Sequence, residues 1–133
     1  MAEASKIPQE LRYSEDHEWV RMEGSVAVVG ITDHAQHALG DITYVDLPPV
    51  SKKVKQGDEL CAVESAKAAA DVFSPVSGTV AEVNGDLENA PEKVNADPYA
   101  AGWICKMKDV PPSDLDHLLS AAQYRKLLEK EGP

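Results

Sequence analysis

Apolar and polar positions alternate in short runs through most of the chain, and turn-forming residues separate the runs. "LRYSEDHEWVRMEGSVAVVGI" reads as two strands with "MEGS" as the reversal, where glycine frees the backbone to turn. "TDHAQHALG" breaks that rhythm: Thr32 or Asp33 can cap the free amides of a short helix, and Gly40 supplies its stop. Strand character resumes in "DITYVDLPPV" and ends at Pro48 and Pro49, because proline lacks the ladder donor. "VKQGDELCAVES" places a turn at Gln56-Gly57-Asp58 before a strand, and "ADVFSPVSGTVAEVNG" gives two more strands, broken at Pro75 and Ser77-Gly78. "VNADPYAAGWICKMK" reads as a loop around Asp97-Pro98 followed by a strand carrying Trp103 and Ile104. Many short strands with turns between them predict an antiparallel sandwich or flattened barrel.

The tail changes period. In "PPSDLDHLLSAAQYRKLLEKEGP", Leu115, Leu118, Leu119 and Ala122 follow helical spacing, and Leu127 extends the face. Ser113 with Asp116 forms an acidic variant of the capping box, and Lys126 and Lys130 sit where the helix dipole favours positive charge. The expectation is one helix over residues 113–131, packed on the outside of a β core, with residues 1–10 as a mobile start. "VKQGDEL" and "VNGDLEN" also echo one another, either as related half-units about a pseudo-twofold axis near Lys67 or as chance likeness between Gly-Asp turns.

Composition narrows the function. The 133 residues suit one domain, with 43% hydrophobic and 27% charged residues in the ordinary globular range. A net charge of -10 repels phosphate backbones, so nucleic acid is excluded as a partner and basic patches on other proteins are favoured. No run approaches the roughly 18 apolar residues of a membrane helix. "MAEASKIPQE" has neither the apolar core of a signal peptide nor the arginine-rich character of a transit peptide. The expected location is the bacterial cytoplasm, although a mature mitochondrial chain would read the same way. Cys61 and Cys105 match no C-x-x-C pattern and lie in apolar runs, as buried thiols do; a dithiol oxidoreductase using both is the alternative from another functional class. Asp33, His34 and His37 offer no clear third or fourth strong metal ligand, and Asp33 serves better as a cap. His17 and His117 have no obvious partners, and Trp19 and Trp103 read as packing anchors. No metal site and no independent catalytic site is expected.

One phrase stands apart. In "ELCAVESAKAAADVF", Lys67 sits among alanines between two strand-like runs. Taking Ser65-Ala66-Lys67-Ala68 as the turn, a type I geometry accommodates these residues where the glycine-demanding primed turns do not. Lys67 is then projected into water between methyl groups that obstruct nothing, with Glu64 and Asp71 as the nearest charges along the chain. A lone exposed lysine is ordinarily just solubilising. The longer phrase "GDELCAVESAKAAADVFSPVSGTVAEV", however, resembles the swinging-arm family of lipoyl and biotinyl domains, in which a ligase joins the cofactor carboxyl to the lysine amine. Biotinyl domains carry methionine on both sides of that lysine, whereas Ala66 and Ala68 stand here. The run Glu64-Ser65-Ala66-Lys67-Ala68 instead resembles the H protein of the glycine cleavage system, with alanine at 66 where that family often has valine. "HEWV", "GITDHAQHALGDI", "DPYAAGW" and "LLSAAQYRKLLEKE" resemble the same family in the same order, so the likeness spans residues 7–131.

The resemblance implies a single lipoyl-carrier domain over residues 1–133. Its fold would be mainly β, an antiparallel lipoyl/biotinyl-type barrel-sandwich hybrid with a short internal helix and a C-terminal helix. It implies a non-catalytic carrier with lipoate on Lys67 and a lipoylation turn of Glu64, Ser65, Ala66 and Ala68. The implied partners are a lipoate ligase or lipoyltransferase, a pyridoxal-phosphate glycine decarboxylase that loads an aminomethyl group, a tetrahydrofolate-dependent aminomethyltransferase that removes it, and a dihydrolipoyl dehydrogenase that reoxidises the dithiol. Glu18 and Asp71 match positions expected near a cleft that shelters the loaded arm, where a carboxylate can hold a protonated amine. Within the same fold, an H-like carrier serving sulfur oxidation or lipoate relay is the alternative.

Overall fold

The structure, a computed structural model, describes residues 6–131. In chain order the strands and helices are β1 (Arg12–Tyr13), β2 (Glu18–Glu23), β3 (Val26–Ile31), α1 (Asp33–Leu39), β4 (Ile42–Asp46), β5 (Lys53–Val54), β6 (Glu59–Ser65), β7 (Ala69–Phe73), β8 (Gly78–Val83), α2 (Asp86–Asn89), α3 (Lys93–Ala96), β9 (Cys105–Lys108), α4 (Pro112–Asp116) and α5 (Ala121–Glu131). The strands form two antiparallel sheets rather than one closed barrel. One has six strands in the order β1-β2-β3-β9-β8-β5, and the other three in the order β4-β6-β7.

Two apolar clusters hold these layers. The larger lies between the sheets, with Val29, Val63, Val80, Ile104 and Met107 among its fully buried members. The smaller covers the other face of the large sheet, where Tyr13, Trp19 and Val28 pack against Tyr124 and Ala121 of α5. Burying a side chain of this size stabilises by about 1.5–3 kcal/mol, so both faces of the large sheet contribute. Trp19 shows how tight the second cluster is. A Cβ at Gly30, its partner across β2 and β3, would lie 2.7 Å from the indole, so glycine is required there. The indole N–H donates to the Pro98 carbonyl at 3.0 Å.

The expected C-terminal helix over residues 113–131 is two helices. Residues 117–120 leave the helix because Leu119 pairs with Tyr13: the Leu119 amide donates to the Tyr13 carbonyl at 2.7 Å, and the Tyr13 amide donates back at 2.9 Å. The cap moves accordingly. Pro111 occupies the N-cap of α4 with no side-chain bond, so Ser113 and Asp116 make no capping box. The box that forms is at α5, where Ser120 Oγ accepts from the Gln123 amide (3.2 Å) and Gln123 Oε1 accepts from the Ser120 amide (2.9 Å). The break also rotates the buried face onto Ala121 and Tyr124, leaving Ala122 exposed.

Other readings change or are decided by the structure. Of the start expected to be mobile, residues 1–5 lie outside the described residues, whereas residues 6–10 are tied down. The Lys6 amide donates to Asp33, Tyr99 donates its hydroxyl to the Lys6 carbonyl at 2.6 Å, and Tyr13 donates to the Pro8 carbonyl. The Gly-Asp echo is not a structural repeat: Gly57 turns into a strand at φ +93°, while Gly85 starts α2 in right-handed conformation. The last strand begins at Cys105, just after Trp103 and Ile104, and the short helices α2 and α3 form before the Asp97-Pro98 loop, where no helix was expected. Among the described residues no helix is long and apolar enough to cross a membrane.

Candidate functional site

The Lys67 turn closes the β6–β7 hairpin at one corner of the small sheet, with Glu64 opposite Ala69 as its last paired residues. Ser65 does most of the closing. Its amide donates to the Ala68 carbonyl at 2.7 Å, and its hydroxyl both accepts from the Ala68 amide and donates to that carbonyl, each at 3.1 Å. A hydroxyl at this position thus supplies the turn-locking bonds that glycine or asparagine chemistry supplies elsewhere. Ala66, Lys67 and Ala68 are exposed, as are Glu64 and Asp71, and Lys67 takes part in none of the ion pairs among the described residues.

The turn is braced from the side. The Ala66 amide donates to the Asp41 carbonyl at 3.1 Å, joining the tip to the segment between α1 and β4. Gly40 ends α1 at φ +79°, a conformation that favours glycine, and a Cβ there would sit 3.4 Å from Lys67 Cε. The lysine stem therefore runs past a bare backbone. Asn95, on α3, fixes this brace: its amide nitrogen donates to the Gly40 carbonyl (2.8 Å) and to Gln36 Oε1 (2.9 Å), while its oxygen accepts from the Ile42 amide (2.9 Å). Sequence reasoning found Gly40 as a helix stop but missed its contact with Lys67, and it missed Asn95 altogether. An asparagine in a polar loop carries no signal that it will clamp a helix end 55 residues away.

Glu18 and Asp71 occupy different environments. Asp71 lies on the exposed side of β7, four residues past Lys67, or about 13 Å of extended chain at roughly 3.3 Å per residue. Glu18 is only 2% exposed. It accepts from the Ser14 hydroxyl and, at 3.2 Å, from the Phe73 amide, so it links β2 of the large sheet to the end of β7 in the small one. Burial pushes its carboxyl up from 4.5 to about 7, against the lowering effect of those two hydrogen bonds.

Comparisons of the whole chain identify its family. The model of the glycine cleavage H-protein family matches residues 11–131. The chain belongs to that family. It is 56% identical over 123 residues to the glycine cleavage system H protein of Laribacter hongkongensis, covering 92% of this chain and 97% of that protein. It is 51% identical over 128 residues to the one from Escherichia coli, covering 96% and 99%. The crystal structure of a glycine cleavage system H protein from Mycobacterium marinum superposes with a TM-score of 0.82 at 34% identity, covering 96% of this chain and 100% of that one. Family membership and fold class thus coincide with what the lysine phrase and its flanking motifs imply.

The thiols fit no competing chemistry. Cys61 and Cys105 are both buried, and burial drives both pKa values up, that of Cys105 to about 12. The thiolate is the reactive form, so these side chains behave as small core residues. His17, in contrast, has partners that the sequence did not disclose. Its Nδ1 lies 2.8 Å from the Tyr124 hydroxyl, its Nε2 3.3 Å from Glu131, and its ring 4.7 Å from that of His34. Burial lowers its pKa, with Glu131 opposing.

Proposed function

We propose that this chain is the lipoyl carrier of glycine cleavage, with lipoate joined as an amide to Lys67 Nζ. The observation that carries this reading is the placement of Lys67. Its amine is exposed on a turn of small residues, closed by Ser65 and braced by Asp41, so a ligase meets a rigid backbone and an unobstructed nucleophile. Lipoate bound there supplies a disulfide that takes up an aminomethyl group and a dithiol that is later reoxidised. The chain's own residues do no covalent chemistry. They present the amine, hold its turn, and keep Glu64, Ala66 and Ala68 from covering it.

The partners in this reading are a lipoate ligase or lipoyltransferase, the pyridoxal-phosphate glycine decarboxylase, the aminomethyltransferase and dihydrolipoyl dehydrogenase, met in the cytoplasm. An excess of acidic residues, 23 against 13, favours basic docking patches on them. Tethering raises the effective concentration of the carried group at each docked enzyme. Glu18 and Asp71 are the proposed carboxylates of a sheltering cleft. Asp71 is exposed and offers a direct partner to a protonated amine, whereas Glu18 acts from beneath, fixing the Phe73 end of β7.

Intact-mass measurement tests the assignment. Expressed with a lipoate ligase and lipoate, the chain should gain one lipoyl adduct, and Lys67→Arg should gain none. An adduct that persists in Lys67→Arg, or a wild-type chain that stays unmodified, would overturn it.

A further inference from the structure

Away from the lysine turn, three side chains distant in sequence converge where the β1–β2 connection, α1 and α5 meet. We propose that His17, His34 and Glu131 bind a single divalent transition-metal ion, zinc by the character of the donors. One ligand atom from each lies within 4.8 Å of the others. Ligands about 2.0–2.1 Å from a tetrahedral zinc stand roughly 3.4 Å apart. His17 Nε2 and Glu131 Oε1 already span 3.3 Å, so an ion fits between them without moving either. The His34 ring, tilted 36° to that of His17 with centroids 4.7 Å apart, brings a third ligand atom within 4.8 Å of the other two, and binding would draw it in. Two imidazoles and one carboxylate suit zinc and its late first-row neighbours, with water in the fourth position.

The surroundings favour a ligand over a plain ion pair. His17 is held from both ends: its backbone sits at φ +71°, its carbonyl accepts from the Thr32 amide at 3.0 Å, and its Nδ1 lies 2.8 Å from Tyr124 Oη. Tyr124 Oη in turn lies 2.8 Å from Thr32 Oγ1. With the ring proton on Nδ1, His17 donates to Tyr124 and Tyr124 donates to Thr32, which leaves the Nε2 lone pair facing Glu131. Such an outer hydrogen bond is what fixes the tautomer of metal-ligating histidines. A non-glycine residue held in left-handed conformation is itself a mark of a constrained position. Side-chain exposures of 21% for His17 and 41% for Glu131 leave the ion a path in. Bound there, it would fasten the end of α5 to the start of α1.

Zinc titration of the untagged, full-length chain tests this. A Lys67→Arg background removes any lipoyl thiol that would compete. Calorimetry should give one zinc per chain, and the melting temperature should rise with zinc, because an ion that binds only the folded state stabilises it. Altering an outer partner of a metal ligand weakens binding by about 10–100-fold, and loss of a direct ligand costs at least as much. His34→Ala and Glu131→Gln should therefore each weaken binding tenfold or more, and Tyr124→Phe should also weaken it. His37→Ala should leave it unchanged, since His37 lies outside the cluster and faces Asp33. Absence of saturable binding at a hundredfold excess of zinc overturns the proposal. So does binding that survives intact in either His34→Ala or Glu131→Gln.

Discussion

Two reverse turns differ in where their side chains point. Residues 65–68, between β6 and β7, are closed by backbone amides and one serine hydroxyl, and the other side chains there are methyl groups and the exposed lysine. Residues 14–17, between β1 and β2, are closed by the backbone too, the Ser14 amide donating to the Glu18 carbonyl at 2.9 Å and the His17 amide to the Ser14 carbonyl at 3.2 Å, but here polar side chains turn inward as well. The Ser14 hydroxyl bonds to Glu18 and the His17 ring to Tyr124, while the His17 backbone carbonyl accepts from the Thr32 amide. The lysine turn keeps polar side chains other than Ser65 and Lys67 out of its loop. A turn that joins two sheets and a helix can bury them, and their ionisation then becomes part of the stability.

The largest effect separating the two turns comes from Glu18. The unfolded carboxyl titrates near 4.5 and the folded one near 7, so between those values the folded chain binds more protons. Stability therefore falls as pH rises from about 4.5 to about 7, and the loss is complete above that. At about 1.4 kcal/mol per pH unit it amounts to about 3 kcal/mol. Glu18→Gln abolishes this slope, because an amide can accept from Phe73 and donate to Ser14 without charging. Urea denaturation at pH 5 and pH 8 should show the variant gaining about 2.5 kcal/mol on wild type between them. Parallel slopes would remove Glu18 as the titrating group. No comparable dependence is expected from substitutions in the lysine turn.

Asn95→Ala should come next, at about 2 kcal/mol by thermal melting. It strips partners from the Gly40 carbonyl, the Ile42 amide and Gln36. Because Gly40 and Asp41 brace the lysine turn, the variant should also be lipoylated more slowly at saturating ligase, although Lys67 is untouched. A stability loss with an unchanged lipoylation rate would mean that the tip holds its shape without the brace.

How far these features could be read in advance follows from the range of the interactions. The lysine turn is local. Alternating strands, a serine at the start of the turn and alanines about Lys67 are all visible within about ten residues. The short helix after Ile31 was legible too, since Thr32 caps it within three residues through the Ala35 amide. The break in the tail was not. Leu118 and Leu119 fit a helical period, and only the pairing of Leu119 with Tyr13, over a hundred residues away, turns them out of it. Asn95, His17 and Glu18 were opaque for the same reason: their partners come from other elements. "HEWV" drew attention to Glu18, but the sequence could not show that it would be buried against Phe73.

Ser65→Ala should cost less, about 0.5–1 kcal/mol, since its hydroxyl bonds are solvent-exposed. Its informative readout is the ligase reaction, because loosening the turn should raise the KM for the carrier while the melting temperature barely moves.

Asp71→Asn should have the smallest effect on stability, within about 0.5 kcal/mol, because an exposed strand carboxylate with no ion pair among the described residues contributes little to folding. That neutrality makes it the cleanest probe of the sheltering cleft. Glu18→Gln changes folding and charge together, so a shorter lifetime of the loaded carrier in that variant could reflect either. Asp71→Asn keeps the side-chain shape and one acceptor oxygen and removes the charge. If a carboxylate on β7 holds a protonated amine, the aminomethyl-loaded protein should lose its cargo to hydrolysis several-fold faster in Asp71→Asn, and high salt should narrow the gap. An unchanged lifetime would leave protection of the cargo to the exclusion of water alone, with Glu18 serving only to join the sheets.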